Sequence, residues 1–103
     1  LLIENGIDVN KQNKDGENAL HFASMYGHLD IIKLLIENGI DIHKQDNYEY
    51  TSLHIASKNG YLDIVKLLIE NGIDINKQNY EGYTSLHYAS MNGHLDIVKL
   101  LIE

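Results

Sequence analysis

The stretch from Leu67 to Asn79 reads LLIENGIDINKQN, and residues 1–13 repeat it with one change, at Val9. Its first eight residues occur again from Leu34, so the copies are spaced by 33 residues. A fixed period of this length is typical of an array of stacked structural units, because one unit cannot bury its own hydrophobic face. The period therefore decides how each local pattern is interpreted.

A second phrase with the same period predicts two helices in each unit. It reads SLHYASMNGHLDIVK from Ser85, with close copies from Ala19 and Ser52. The Asn or Thr before each copy is suited to cap a helix through its side-chain oxygen, and the Gly inside the phrase ends that helix. The predicted first helices are 18–25, 51–58 and 84–91, and the predicted second helices are Leu29–Glu37, Leu62–Glu70 and Leu95–Glu103.

Apolar spacing predicts which faces of these helices are buried. Each first helix carries a Leu and an Ala three residues apart, which places them on one narrow face. The pairs are Leu20/Ala23, Leu53/Ala56 and Leu86/Ala89. The second helices are apolar almost all round, which predicts that neighbours cover them on several sides.

Each connection between units begins with an Asn-Gly pair that is expected to close the preceding helix, with Gly in the left-handed conformation. Residues 7–12 predict a short extended finger, and Asn13–Gly16 predicts a β-turn beside it. In the second copy Glu49 stands where the others have Gly. We expect Glu49 to adopt a positive φ, which costs free energy for a residue with a Cβ.

The period, the order of elements and one motif together resemble the ankyrin-repeat family. Its T-P-L-H-x-A pattern is matched by Thr51–Ala56 and Thr84–Ala89. The resemblance covers the whole chain and implies an all-α ankyrin-repeat solenoid of stacked helix pairs with projecting β-turn fingers. It divides the chain into the tail of a preceding repeat (1–12), two complete repeats (13–45 and 46–78) and a truncated repeat (79–103). The family's Pro is replaced by Ala19, Ser52 and Ser85, which is expected to soften the repeats.

Composition excludes several classes of function. The net charge is −7 and all eight basic residues are Lys, so a nucleic-acid partner is not expected, because phosphate recognition favours basic patches and guanidinium groups. There are no cysteines for disulfides or thiolate metal sites, which favours an intracellular, cytoplasmic location. No apolar run approaches the ~20 residues of a membrane-spanning helix, so membrane insertion is not expected either.

The residue types that carry chemistry recur with the period and do not converge. His21, His54 and His87 are spaced by one repeat, and stacked helices lie ~8–10 Å apart, too far for the nitrogens of one zinc site. We interpret them as histidines that form hydrogen bonds inside each repeat. Ser52 and His54 are two residues apart on a helix and do not face each other. The sequence predicts no catalytic residue, no metal and no cofactor.

The positions that vary between copies predict a partner-binding surface. The repeated residues form the framework, so the variable ones are free to contact solvent or a partner; they collect at the turns and along the first helices. In the ankyrin family these positions line the concave face that binds partners. The predicted contact residues are Lys14, Asp15, Glu17, Met25, Tyr26, Asn47, Tyr48, Tyr50, Lys58, Asn59, Tyr80, Glu81, Tyr83, Tyr88, Met91 and Asn92.

The resemblance and the Tyr-rich variable positions predict a non-catalytic module that binds a protein or peptide, since Tyr and Met are enriched at interfaces. The acidic turns predict a partner with basic rim residues. A targeting or regulatory ankyrin segment of a larger multidomain enzyme or channel is the alternative. A designed, consensus-like array is a third interpretation, and the imperfect copies count against it.

The two ends of the array also carry a prediction. Leu1, Leu2 and Ile3 at one end, and Ile97, Val98 and Leu101 at the other, have no neighbouring repeat in this sequence to cover them. Uncovered faces of this kind are complementary head to tail, which favours open association. We therefore expect head-to-tail self-association through the uncapped ends.

Overall fold

The computed structural model describes residues 5–103, which form six α-helices and no β-strand. The helices are α1 (Ala19–Tyr26), α2 (Leu29–Glu37), α3 (Ser52–Asn59), α4 (Leu62–Glu70), α5 (Ser85–Met91) and α6 (Leu95–Ile102). Helices α1, α3 and α5 pack side by side in one row, and α2, α4 and α6 form a second row against it. The described residues extend over 42 × 25 × 21 Å. The predicted all-α stack of helix pairs is confirmed, with helix boundaries within one residue of the predicted ones.

The first helix of each unit begins with a two-way cap. The Thr51 hydroxyl accepts a hydrogen bond from the His54 backbone N–H at 3.3 Å, and His54 Nδ1 accepts one from the Thr51 N–H at 2.9 Å. Asn18 with His21, and Thr84 with His87, form the same arrangement. The predicted N-caps are confirmed. The reciprocal bond was not predicted, because Glu or Gln is the usual residue at the third helical position of such a cap.

The second ring nitrogen of His21 and that of His54 reach the next unit. Nδ1 is an acceptor in the cap, so in the neutral ring the proton is on Nε2. His21 Nε2 then donates to the Tyr50 carbonyl of the next unit at 3.1 Å. His54 Nε2 lies 3.1 Å from the Tyr83 carbonyl of the next unit and 2.9 Å from the Lys77 carbonyl of its own unit, and donates to both. The structural interpretation of these histidines is confirmed, with one correction: their hydrogen bonds run between units as well as inside them.

The fingers are turns rather than the extended segments that we predicted. In the first finger the Lys11 N–H donates to the Asp8 carbonyl at 3.2 Å, and the Asn10 N–H donates to Asp8 Oδ1 at 2.9 Å. In the other fingers, Asp41 Oδ1 and Asp74 Oδ1 each accept the equivalent hydrogen bond from the backbone N–H two residues later. The recurring Asp therefore folds each finger, because its side chain mimics a turn in the backbone.

The β-turns form as predicted, and Glu49 has the expected strain. The Glu49 N–H closes its turn to the Asp46 carbonyl at 2.9 Å, as Gly16 and Gly82 do in the other copies. The φ of Glu49 is 65°, and within residues 5–103 it is the sole residue other than glycine with a positive φ. A left-handed conformation costs an L-residue ~1–2 kcal/mol.

We expect Glu49→Gly to raise the free energy of unfolding by about 0.5–1 kcal/mol, because Gly adopts a positive φ without strain. The greater conformational entropy of Gly in the unfolded chain offsets part of this gain. Urea denaturation measures the change. Gly82→Ala is the matched control: the φ of Gly82 is +83° and an added Cβ meets nothing within 4 Å. It should be destabilising through backbone strain alone, and a Glu49→Gly variant no more stable than the parent would contradict the strain argument.

The core lies between the two rows and is best closed in the middle of the array. Helix α4 buries Ile64, Val65 and Leu68, whereas α2 buries Ile32 and leaves Leu34 60% exposed. The prediction that second helices are covered on several sides therefore holds for α4, which has a helix on each side.

Two predictions at the C-terminal end of the array are wrong. Leu86 is 39% exposed, although Leu20 and Leu53 at the same repeat position are buried, because within residues 5–103 no further first helix packs on α5 as α5 packs on α3. Ile97 is 0% exposed, because it belongs to the central hydrophobic cluster and does not form part of an open end. Val98 and Leu101 are half-buried against that cluster. Leu1, Leu2 and Ile3, which the sequence assigned to the other end, lie outside the described residues.

Helix α3 begins with a residue whose side chain is poorly matched to its site. Ser52 is 1% exposed, and its hydroxyl has no hydrogen-bond partner within the described chain. Because Ser52 is the first helical residue, its backbone N–H has no carbonyl within the helix to which it can donate a hydrogen bond. Thr51 before it is extended, with φ −98° and ψ 169°, which is the conformation that a following proline requires.

We expect Ser52→Pro to raise the free energy of unfolding by about 1–2 kcal/mol, because it removes an unpaired buried hydroxyl and restricts the unfolded chain. Chemical denaturation measures the gain. Two variants separate the causes: Ser52→Ala removes the hydroxyl alone, and Ala19→Pro adds the proline at an equivalent position without a hydroxyl. A Ser52→Pro variant less stable than Ser52→Ala would show that the ring does not fit.

Candidate partner-binding surface

The turns and first helices together line a cleft on one side of the array. Its volume is about 300 Å³. We call it the turn–helix cleft, and its lining residues are Glu17, Met25, Asp46, Tyr48, Tyr50, Ile55, Lys58 and Asn59. Six of the eight were predicted from their variability as contact residues, and the structure brings them together from three separate segments of the chain.

Asp46 and Ile55 are the lining residues that the predicted contact set did not include. Asp46 belongs to the turn framework, because its Oδ1 accepts the N–H groups of Tyr48 and Tyr50, both at 2.9 Å. This carboxylate therefore fixes the direction in which both tyrosines leave the backbone. Ile55 is 8% exposed and forms the floor of the cleft.

Tyr48 and Tyr80 form an exposed aromatic pair beside the cleft. Each is 59% exposed, their ring centroids are 5.5 Å apart, and the Tyr80 N–H donates to the Tyr48 carbonyl at 3.1 Å. The negative charge of Glu81 raises the pKa of the Tyr80 hydroxyl, so this hydroxyl stays protonated near neutral pH. The pair presents two ordered rings and two hydroxyl groups to solvent.

Tyr88 lies in the interior, not on the contact surface. It is 4% exposed, and its hydroxyl lies 2.7 Å from the Tyr50 hydroxyl and accepts from Asn79 Nδ2 at 2.6 Å. With Asn79 as donor, Tyr88 is free to donate its own proton to Tyr50. Burial raises the pKa of the Tyr88 phenol, so it does not ionise in the usual range. The ring supports Tyr50 and Tyr83, with centroids 5.7 Å from each.

Comparison with protein families assigns these stacked helix pairs. A model described as ankyrin repeats (3 copies) matches residues 1–79, and another described as ankyrin repeats (many copies) matches residues 68–103. The chain belongs to the ankyrin-repeat family. Comparison with curated proteins gave no match. Ankyrin repeats are generally protein–protein interaction modules and are typically non-catalytic.

Three asparagines in the predicted contact set connect neighbouring ankyrin repeats. Asn47 Nδ2 donates to the Lys14 carbonyl at 2.8 Å, and Asn92 Nδ2 donates to the Lys58 carbonyl at 2.9 Å. Asn59 Nδ2 makes a longer bond, 3.5 Å, to the carbonyl of Met25. All three remain exposed. Their variability between copies gave no signal for these bonds, because the acceptors are backbone carbonyls of another repeat.

The remaining predicted residues divide between the ankyrin turns and the two ends of the array. Lys14, Asp15 and Glu81 are exposed on the turns, and Tyr83 is 36% exposed. Tyr26 and Met91 are 63% and 62% exposed, but neither lines the turn–helix cleft. Apart from the buried Tyr88 and the two outlying positions Tyr26 and Met91, the predicted residues lie on the turns and around the turn–helix cleft.

Two features of the described ankyrin repeats bear on metal binding and on membrane insertion. Within residues 5–103 no three His, Cys, Asp or Glu side chains come together in a way that could hold a metal ion. The caps and the inter-repeat bonds account for the nitrogens of His21 and His54. All the helices in this part of the chain are too short or too polar to span a bilayer.

Proposed function

We propose that this ankyrin array binds a protein or peptide segment on its concave face, in the turn–helix cleft and across Tyr48 and Tyr80. The exposed tyrosine pair beside a cleft of about 300 Å³ carries the proposal. Tyrosine gives a large contact area at low entropic cost. The two rings already contact each other, and hydrogen bonds hold their turns. Little further ordering is therefore needed on binding.

The charges around the cleft favour a basic partner. Glu17 and Asp46 line it directly, and Asp15, Glu49 and Glu81 lie exposed on the neighbouring turns. The opposing cations are Lys14 on a turn and Lys58, whose Nζ is 5.7 Å from the centroid of the Tyr88 ring. Complementary rim charges act mainly on the association rate and on specificity. A partner with Lys or Arg at its rim is therefore the best match.

A displayed library of random linear peptides tests the proposal without a known partner. We expect the selected peptides to be enriched in Lys and Arg, and added salt to slow their association. The dissociation constant of the tightest peptide should rise by about 30-fold or more in Tyr48→Ala and in Tyr80→Ala, as for anchor residues at the centre of an interface. Fluorescence anisotropy measures the constant.

Lys66→Ala and Glu70→Ala are the matched controls, because both side chains are exposed on α4, outside the cleft. They should leave the dissociation constant unchanged. If these two changes abolish binding while both tyrosine changes are silent, the binding face lies elsewhere. If the selected peptides carry no excess of basic residues, the charge argument is wrong.

A further inference from the structure

The turn–helix cleft lies where isoleucine takes the position that tyrosine has one repeat later. Tyr88 is the equivalent of Ile55, and its side chain fills the corresponding place between the next two repeats. There its ring lies 5.7 Å, centroid to centroid, from those of Tyr50 and Tyr83, and its hydroxyl accepts from Asn79 at 2.6 Å. Ile55 has neither ring nor hydroxyl, and it forms the floor of the cleft. The array itself therefore shows that a flat, polar side chain fits this place.

The polar groups around the cleft differ in charge from those around the filled place. Asp46 lines the cleft where the filled place has Asn79. Glu17 lines it where the filled place has Tyr50. Asp46 Oδ1 is used within its own turn, and Glu17 Oε1 accepts a side-chain amide of its own turn at 3.0 Å. Within residues 5–103 no hydrogen bond engages Asp46 Oδ2 or Glu17 Oε2. The cleft therefore offers two carboxylates to a group that enters it.

Lys58 is the one cation among the lining residues. Its Nζ lies 5.7 Å from the centroid of the Tyr88 ring, which fills the neighbouring place. Met25, at the equivalent position one repeat earlier, also lines the cleft and is uncharged. Two carboxylates therefore face one ammonium group around the cleft, and this balance favours a cation over an anion as the occupant.

We infer that the cleft takes an arginine side chain of the bound segment, with its guanidinium group at Asp46 and Glu17 and its aliphatic stem over Ile55. A guanidinium group is planar, like the ring that fills the equivalent place, and its five N–H donors can serve two carboxylates at once. It also stacks on aromatic faces, which Tyr48 and Tyr50 supply at the walls. A lysine ammonium is a compact, strongly hydrated charge that makes less use of flat walls. The inference deepens the proposed function and rests on it for the partner.

A capped arginine, Nα-acetyl-L-arginine amide, tests the cleft apart from any partner. We expect it to shift the amide NMR signals of Tyr48, Tyr50 and Lys58 in the isotope-labelled 103-residue chain, and to saturate with a dissociation constant on the order of millimolar. Capped citrulline has the same shape without the charge and should bind about 10-fold more weakly. Capped lysine should bind about 3-fold more weakly. A capped lysine that binds as tightly as capped arginine overturns the assignment to arginine.

Asp46→Asn removes a charge from the cleft and keeps the turn. Asn13 and Asn79 hold the equivalent turns, because Oδ1 of each accepts the same two backbone N–H groups that Asp46 Oδ1 accepts. The dissociation constant of capped arginine should rise about 5-fold or more in Asp46→Asn and in Glu17→Gln. Ile55→Tyr copies the filled place and should abolish binding, because the new ring occupies the cleft.

Lys58→Met separates a cation from an anion as the occupant. Removing the lysine charge should lower the dissociation constant of capped arginine about 2–5-fold, whereas an anion would bind more weakly. Glu70→Gln is the charge control, since Glu70 is exposed on α4 outside the cleft, and it should change nothing. Circular dichroism checks that each variant is folded. Capped arginine binding that survives Ile55→Tyr, or that weakens in Lys58→Met, overturns the inference.

The peptides selected from the displayed library separate this inference from the proposed function. Replacing the arginine of the tightest peptide by citrulline should raise its dissociation constant about 10-fold. If that peptide loses affinity in Tyr48→Ala but is indifferent to citrulline, the proposed function stands and the inference is wrong. If the peptides bind away from Tyr48 and Tyr80, the proposed function is wrong, and the capped arginine still decides what the cleft takes.

Discussion

Tyr88→Ala is expected to lower the free energy of unfolding by about 3–5 kcal/mol, the range for truncating a buried aromatic side chain. Tyr88 is 4% exposed, and its ring lies 5.7 Å from those of Tyr50 and Tyr83 and 6.1 Å from that of His54, centroid to centroid. Removing it leaves a cavity between two repeats and takes away the hydroxyl that Asn79 bonds. Urea denaturation followed by circular dichroism measures the loss.

Two further variants show which part of the side chain matters. Tyr88→Phe keeps the ring but leaves the Asn79 amide, at 4% exposure, without its partner, and should cost about 1–3 kcal/mol. Tyr80→Ala, at a 59% exposed position, should leave the free energy of unfolding unchanged within error. If Tyr88→Ala is no more destabilising than Tyr80→Ala, the buried tyrosine cluster does not support the stack. The sequence placed both tyrosines in the predicted contact set, and the structure corrects this for Tyr88, which is buried.

The fold and its special backbone positions could be predicted because their causes are local. Thr51 caps a helix and Glu49 bends the chain through atoms within a few residues of each in the sequence. The period then fixes which elements are neighbours, since each unit must cover the next. These arguments need no knowledge of side-chain burial.

Burial at equivalent positions could not be predicted, because it depends on what lies across a repeat boundary. Phe22, Ile55 and Tyr88 occupy one repeat position and are 39%, 8% and 4% exposed. Leu53 and Leu86 differ for the same reason: α5 packs on α3 and covers Leu53, whereas no further first helix packs on α5 within residues 5–103. A period assigns these residues the same environment, and variability between copies marks Tyr88 as readily as it marks Tyr80. Only the stacked structure separates a supporting tyrosine from a presented one.

His54→Ala is expected to lower the free energy of unfolding by about 2–4 kcal/mol, through lost hydrogen bonds and the buried partners left unpaired. His54 is 0% exposed, caps α3 through Nδ1, and bonds the Lys77 and Tyr83 carbonyls through Nε2. His87→Ala is a matched control with the same cap but no inter-repeat bond among the described residues. It should cost about 1 kcal/mol, the value of a helix cap. Equal losses in the two variants would show that the bonds between repeats contribute nothing.

The same histidine makes stability depend on pH. Burial lowers the pKa of His54 from its ordinary value of 6.5, against the opposing effect of the Lys77 and Tyr83 carbonyls. Below pH 6.5 this histidine therefore binds a proton more readily in the unfolded chain than in the folded chain. The free energy of unfolding has its full value above pH 6.5 and falls as the pH drops from 6.5 through the lowered folded-state pKa. Protonation would also end the role of Nδ1 as the acceptor of the Thr51 N–H. Denaturation midpoints between about pH 7.5 and 5 should fall more steeply for the parent than for His54→Gln, which has no proton to gain. Parallel pH profiles for the two proteins would assign the acid sensitivity to other groups.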